Sequence, residues 1–156
     1  MIVTCAGGCL YGFAGGGLPS HIRTVAILPF DNLTAEPVLT QEVTQAVSSA
    51  IEGQLGLRAA SEETADAIVR GVITRYEPDV LLQVQAAEGG QVSVTRRRVQ
   101  ITVTVEIYDV REERMLWERS GLTVDGEYQP PNDQEGRRIA LEKLARDIVD
   151  GAQSQW

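Results

Sequence analysis

Histidine occurs once in this 156-residue chain, cysteine twice, and aromatic side chains make up only 5% of it. Each scarcity removes a class of function. Both cysteines, Cys5 and Cys9, fall in the first nine residues, so the body has no disulfide framework and a Cys/His metal site has no set of four ligands. A Ser-His-Asp or Cys-His catalytic site would have to run through His21, which lies beside Leu18-Pro19-Ser20 in a tether-like stretch; a surface structural role is expected for it. The glycines at 15 to 17 follow no strand and lack the lysine of a phosphate loop. The expectation is therefore a protein that is not an enzyme and that needs neither cofactor nor metal. Basic residues are also short, 14 Lys and Arg against 22 Asp and Glu, and a net charge of −8 argues against nucleic acid as a partner. Apolar runs stay far below the roughly 20 residues of a membrane-spanning helix.

What the chain does have begins at residue 4 with TCAGGCLYGFAGGGLP, whose six glycines oppose both helix and strand. Ala6-Gly7-Gly8 ahead of Cys9 resembles the lipobox of bacterial lipoproteins, in which the signal is cut before a cysteine that then carries lipid. Ala6 stands where that pattern usually has leucine, and only eight residues precede Cys9, with no basic and apolar leader among them. Residues 1–20 are thus expected to be a signal remnant, with its start upstream, followed by a Gly-rich tether. An unstructured terminus and a small Cys5–Cys9 disulfide loop are the competing readings.

Residues 21–156 are expected to form one domain. VAILPF at 25–30 reads as a buried strand closed by Pro29. Leu39, Val43, Val47, Ala50, Ile51 and Leu55 recur at helical spacing until Gly56. A strand follows from Ala67 to about Glu77, Pro78-Asp79 is expected to turn the chain, and Val80–Val84 forms another short strand. In VQITVTVEI, 99–107, apolar Val99, Ile101, Val103, Val105 and Ile107 alternate with polar residues, so one face is core and the other wet. Asp109–Arg114 reads as the hairpin into Met115-Leu116-Trp117. Asn132 and Glu135 suggest a capping box ahead of a second helix whose stripe is Ala140, Leu141, Leu144, Ala145, Ile148 and Val149. Two helices and one half-wet sheet give an α+β fold: a two-layer sandwich, both helices on one face of a mixed, largely antiparallel sheet of four to five strands.

Cys9 with Tyr11-Gly12-Phe13, Val25–Phe30 with Asp31-Asn32-x-Thr34, Ala65-Asp66-Ala67 leading into Gly71-x-Ile73-x-x-Tyr76, the Arg-rich entry to the alternating strand, Asp109, Leu116-Trp117-Glu118 and the closing helix appear in this order. In that order they resemble the LptE family of lipopolysaccharide-assembly lipoproteins over residues 9–156. The resemblance implies an outer-membrane lipoprotein, lipid-anchored through Cys9 on the periplasmic side, that plugs the LptD β-barrel, helps it assemble, and binds lipopolysaccharide. The V-A-x-L-P-F strand followed by Asn also occurs in CsgG-like secretion lipoproteins and TolB-like domains, so an envelope secretion accessory is the alternative.

For the lipopolysaccharide phosphates, Arg96, Arg97 and Arg98 are the candidates, because guanidinium matches phosphate oxygens in bidentate geometry. Strand alternation sends Arg96 and Arg98 to the polar face and Arg97 to the core face near the strand end. A charge cluster guarding a strand edge is the competing explanation. Trp117 and Tyr128 are expected to be core or rim aromatics.

Overall fold

The structure, a computed structural model, describes residues 17–86, 89–90 and 92–154. Six strands and two helices follow in the order β1 Thr24–Ile27, β2 Asp31–Asn32, α1 Val38–Leu55, β3 Arg58–Ala59, β4 Ala67–Ala86, β5 Val92–Asp109, β6 Arg114–Tyr128 and α2 Asp133–Ser154. The sheet runs β3-β1-β4-β5-β6, with β2 also on β4. Pairing is parallel among β1, β2, β3 and β4, and antiparallel for β4–β5 and β5–β6. Both helices contribute to one core, so the α+β sandwich is as expected. The sheet is one strand wider than expected because β2 and β3 are two residues each, too short to leave a periodic signal.

β5 carries the fold. Val99, Ile101, Val103, Val105 and Ile107 are all buried, while Thr102, Thr104 and Glu106 lie on the open face. Across that face the Thr102 and Thr123 hydroxyls sit 3.0 Å apart and Arg70 Nε donates to Glu106 at 2.6 Å, so cross-strand pairs tie the sheet together on its wet side.

α1 buries Leu39, Val43, Val47, Ala50 and Ile51. Its approach is set by Asn32, whose side chain accepts from the Thr34 amide at 2.9 Å and donates to the Glu36 carbonyl at 2.8 Å. It ends at Gly56, whose φ of 66° is the left-handed conformation that glycine adopts freely. At the start of α2 the expected capping box is replaced: Glu135 accepts from Arg138, and Asn132 supplies its backbone carbonyl to the Glu135 amide. Gly126 on β6 faces Gly136 on α2 so closely that a Cβ on either would collide with the other element, which lets the helix lie down on the strand.

Pro78-Asp79 does not turn the chain. β4 runs unbroken through it, with a register shift between Glu77 and Val80. Proline lacks the amide that a ladder needs, and it is tolerated here because β2 pairs with β4 only as far as Ile73, leaving the outer edge of β4 free beyond that point. The short strand expected at 80–84 is thus the far part of β4. β6 ends opposite Arg97, so from there β4 and β5 continue alone as a two-stranded arm reaching Ala86 and Val92. The arm leaves one pole of the domain. The opposite pole holds the β5–β6 turn and residue 21, where the N-terminal stretch joins the sheet.

Candidate functional site

At the base of the arm the alternation of β5 places the three arginines differently. Arg97, two residues beyond Val99, shares the helix-side face and forms an ion pair with Asp79. Tyr128, opposite Arg97 in the register, donates its hydroxyl to the Pro78 carbonyl at 3.0 Å. Burial, reinforced by the Asp79 charge, pushes the Tyr128 phenol above its ordinary value, so it stays a donor. Tyr128 and Asp79 therefore lock the bulge in β4, and Arg97 belongs to that lock.

Arg96 is exposed and pairs with Glu127 of β6. Arg98, opposite Val80 and Glu127 in the register, forms no ion pair among the described residues, and its Nε is buried without a hydrogen-bond partner. Of the three candidate phosphate contacts, one is committed to the fold, one is held by a carboxylate that a ligand would have to displace, and one is available. Neither carboxylate was legible as a partner: Asp79 sits in what reads as a turn, and Glu127 is about thirty residues away. Trp117 is buried against Gly151 of α2 and Tyr128 is in the core, as expected for core and rim aromatics.

The rest of the open face is polar and largely self-neutralised. Arg70 pairs with Glu106, and Arg75 with Glu77. On the opposite side of the molecule, α1 and α2 leave an outer groove of about 980 Å³ whose floor includes Ala46, Ala50, Leu141 and Ala145 and whose rim includes Glu42 and Arg137, paired at 3.1 Å.

At the pole opposite the arm, His21 Nε2 lies 2.7 Å from Asp109 Oδ2, and the Glu112 amide donates to Asp109 Oδ1 at 3.0 Å. Burial alone would raise the Asp109 carboxyl, but the Glu112 amide and the His21 ring outweigh it and hold it below the usual carboxylate range. His21, Asp109 and Glu112 offer ligand atoms within 4.8 Å of one another. Asp109 holds the His21 ring and Glu112 Oε2 accepts from Arg114 Nε at 2.6 Å, so the cluster pins the N-terminal end of the fold to the β5–β6 turn. The structural role expected for His21 is this pin. Cys5, Cys9 and the stretch 1–16 lie outside the described residues, so the lipid-attachment position carries no geometry here.

A profile of the LptE family, described as lipopolysaccharide assembly, matches residues 22–155. No curated protein sequence matches significantly. Among solved structures the chain is similar to protein XCC0632 from Xanthomonas campestris, with a TM-score of 0.56 and 10% identity over 89% of this chain and 91% of that one. It is also similar to a PelC dodecamer from Paraburkholderia phytofirmans that carries a single substitution, with a TM-score of 0.55 and 16% identity over 90% and 93% of the two chains. A third is the hypothetical protein CT253 from Chlamydia trachomatis, with a TM-score of 0.52 and 12% identity over 85% and 99%. At these identities the likeness establishes a shared fold.

Proposed function

The chain belongs to the LptE family of lipopolysaccharide-assembly proteins, and from that premise we propose that it is an outer-membrane lipoprotein, lipid-anchored at Cys9 on the periplasmic side, that plugs an LptD-like β-barrel and binds lipopolysaccharide. The observation that carries the reading is the family match across 22–155. The open sheet face is compatible with it: large outer-membrane barrels have polar interiors, and Thr102, Thr104 and the paired Arg70 and Glu106 present a polar surface with its charges already matched. Such a role needs binding and no covalent chemistry.

For lipopolysaccharide phosphates, Arg98 is the primary contact and Arg96 a secondary one that exchanges Glu127 for phosphate, while Arg97 stays on Asp79. Affinity for purified lipopolysaccharide, measured at low salt, tests this. Arg98→Ala is expected to lose about 1.5–3 kcal/mol, the worth of a charge-assisted hydrogen bond. Glu127→Gln frees Arg96 and is expected to tighten binding. If Arg98→Ala binds as wild type does while remaining folded, the cluster is an edge guard and the lipid site lies elsewhere.

A further inference from the structure

The arm exposes apolar surface that the reading above does not use. Leu81 is 55% exposed, Leu82 38%, Val84 52% and Val92 67%, so half of the large exposed hydrophobic side chains among the described residues sit on this one ribbon. Leu81, opposite Arg97, and Leu82, at the register shift beside it, are consecutive and both exposed, so the apolar surface lies on the outside of the ribbon. A two-stranded ribbon is marginal alone in water, and exposed apolar strands with free edges invite an occupant.

We propose that the arm is a membrane-docking finger: its apolar end lies in the interfacial region of an anionic phospholipid leaflet, with Arg98 and Arg96 at the level of the lipid phosphates. Charge selects this occupant. Residues 80–98 carry three arginines against one glutamate in a chain of net charge −8; Asp79 and Glu127 pair two of them, and Arg98, with no ion pair among the described residues, is the cation left for an anionic surface. Depth follows from the backbone: beyond Arg97 both outer edges of the ribbon are unpaired, and unpaired amides and carbonyls are not tolerated in the hydrocarbon core. The interfacial region, where water still reaches the backbone, accepts apolar side chains to about 5–10 Å. Val92 lies six residues from Arg98, about 20 Å along an extended strand, which leaves the arginine heads room to reach phosphate while their stems lie along the apolar surface.

The test uses the full chain carrying Cys9→Ser, so that no lipid anchor contributes, with vesicles of phosphatidylcholine alone or mixed 3:1 with phosphatidylglycerol. Co-flotation is expected with the mixed vesicles and not with the neutral ones, falling as salt rises. Arg98→Gln is expected to weaken partitioning about fivefold, from the roughly 1 kcal/mol that each basic residue contributes near an anionic surface. Val84→Asp with Val92→Asp is expected to abolish it at an unchanged thermal midpoint, because both side chains lie outside the core. Tryptophan placed by Val92→Trp is expected to shift its emission to the blue and to be quenched by lipids brominated in the acyl chains. Equal partitioning onto neutral vesicles, or a tryptophan at 92 that stays water-like, overturns the proposal. So does a concentration-dependent oligomer that Val84→Asp dissolves, which would make the occupant a second copy. Binding to purified lipopolysaccharide without binding to phosphatidylglycerol vesicles also overturns it and leaves the barrel reading standing.

Discussion

Asp109 is the fully buried charged side chain among the described residues, and its side-chain partner is the chain's single histidine, 88 positions earlier. At residue scale this pin decides the acid response. Asp109 and Asp66 both have folded pKa values held below the ordinary one, Asp66 because the Arg23 amide and the Thr24 hydroxyl and amide donate to it. A depressed carboxylate stabilises the fold above its unfolded pKa, near 3.9, and that contribution is lost as pH falls toward the lower folded value. Thermal midpoints are therefore expected to hold level from pH 7 to about 5 and to drop below about 4. Asp109→Ala is expected to cost about 1–3 kcal/mol at pH 7 and to flatten the acid limb, since it deletes one of the groups responsible. A wild-type acid limb in that variant would remove Asp109 from the account. None of this was legible in the sequence, because His21 could be placed only beside its Pro-Ser neighbours; the pin is a long-range contact with no local period.

Elements were legible where a period ran long enough to count. The β5 alternation and the α1 and α2 stripes identify their elements and buried faces directly, because one polar or apolar residue out of phase would have been visible. Pro78 misled for a physical reason: proline breaks a central strand, and whether β4 has a neighbour beyond Ile73 is a tertiary fact. The same limit hid Asp79 as the partner of Arg97 and so hid which arginines are free. Helix-on-sheet packing offers a test at this scale. Gly126→Ala drives a methyl into the Gly136 carbonyl and is expected to cost at least about 1–3 kcal/mol as an overpacked contact. Gly53→Ala, in the exposed last turn of α1 with open space around the new methyl, is expected to gain up to about 0.5–1 kcal/mol. Denaturation midpoints measure both, and a neutral Gly126→Ala would mean that α2 can shift away from β6.

On the scale of the whole molecule the fold has two poles and two broad sides. β5 spans 18 residues, about 60 Å, from the His21–Asp109 pin to the arm, so the N-terminal stretch enters at one end while the arginines and apolar ribbon emerge at the other. Between the poles, the open sheet face is the surface that a polar barrel lumen would meet, and the Arg70–Glu106 and Arg75–Glu77 pairs neutralise part of its charge. Thr104 is at its centre, and its neighbour Val103 is buried on the other side of the same strand. Co-expression with the LptD-like barrel proposed as its partner separates surface from core. Thr104→Trp is expected to keep the wild-type thermal midpoint while reducing co-purification of the barrel about tenfold, equivalent to about 1.4 kcal/mol of lost affinity, because a rigid indole replaces a small polar contact. Val103→Asp is expected to lose the fold itself, since an unpaired buried carboxylate costs as much as the whole stability of a small domain. If Thr104→Trp co-purifies like the wild type, the open face does not meet the barrel wall, and the contact must be sought on the outer side of α1 and α2, whose groove would then be the next surface to substitute.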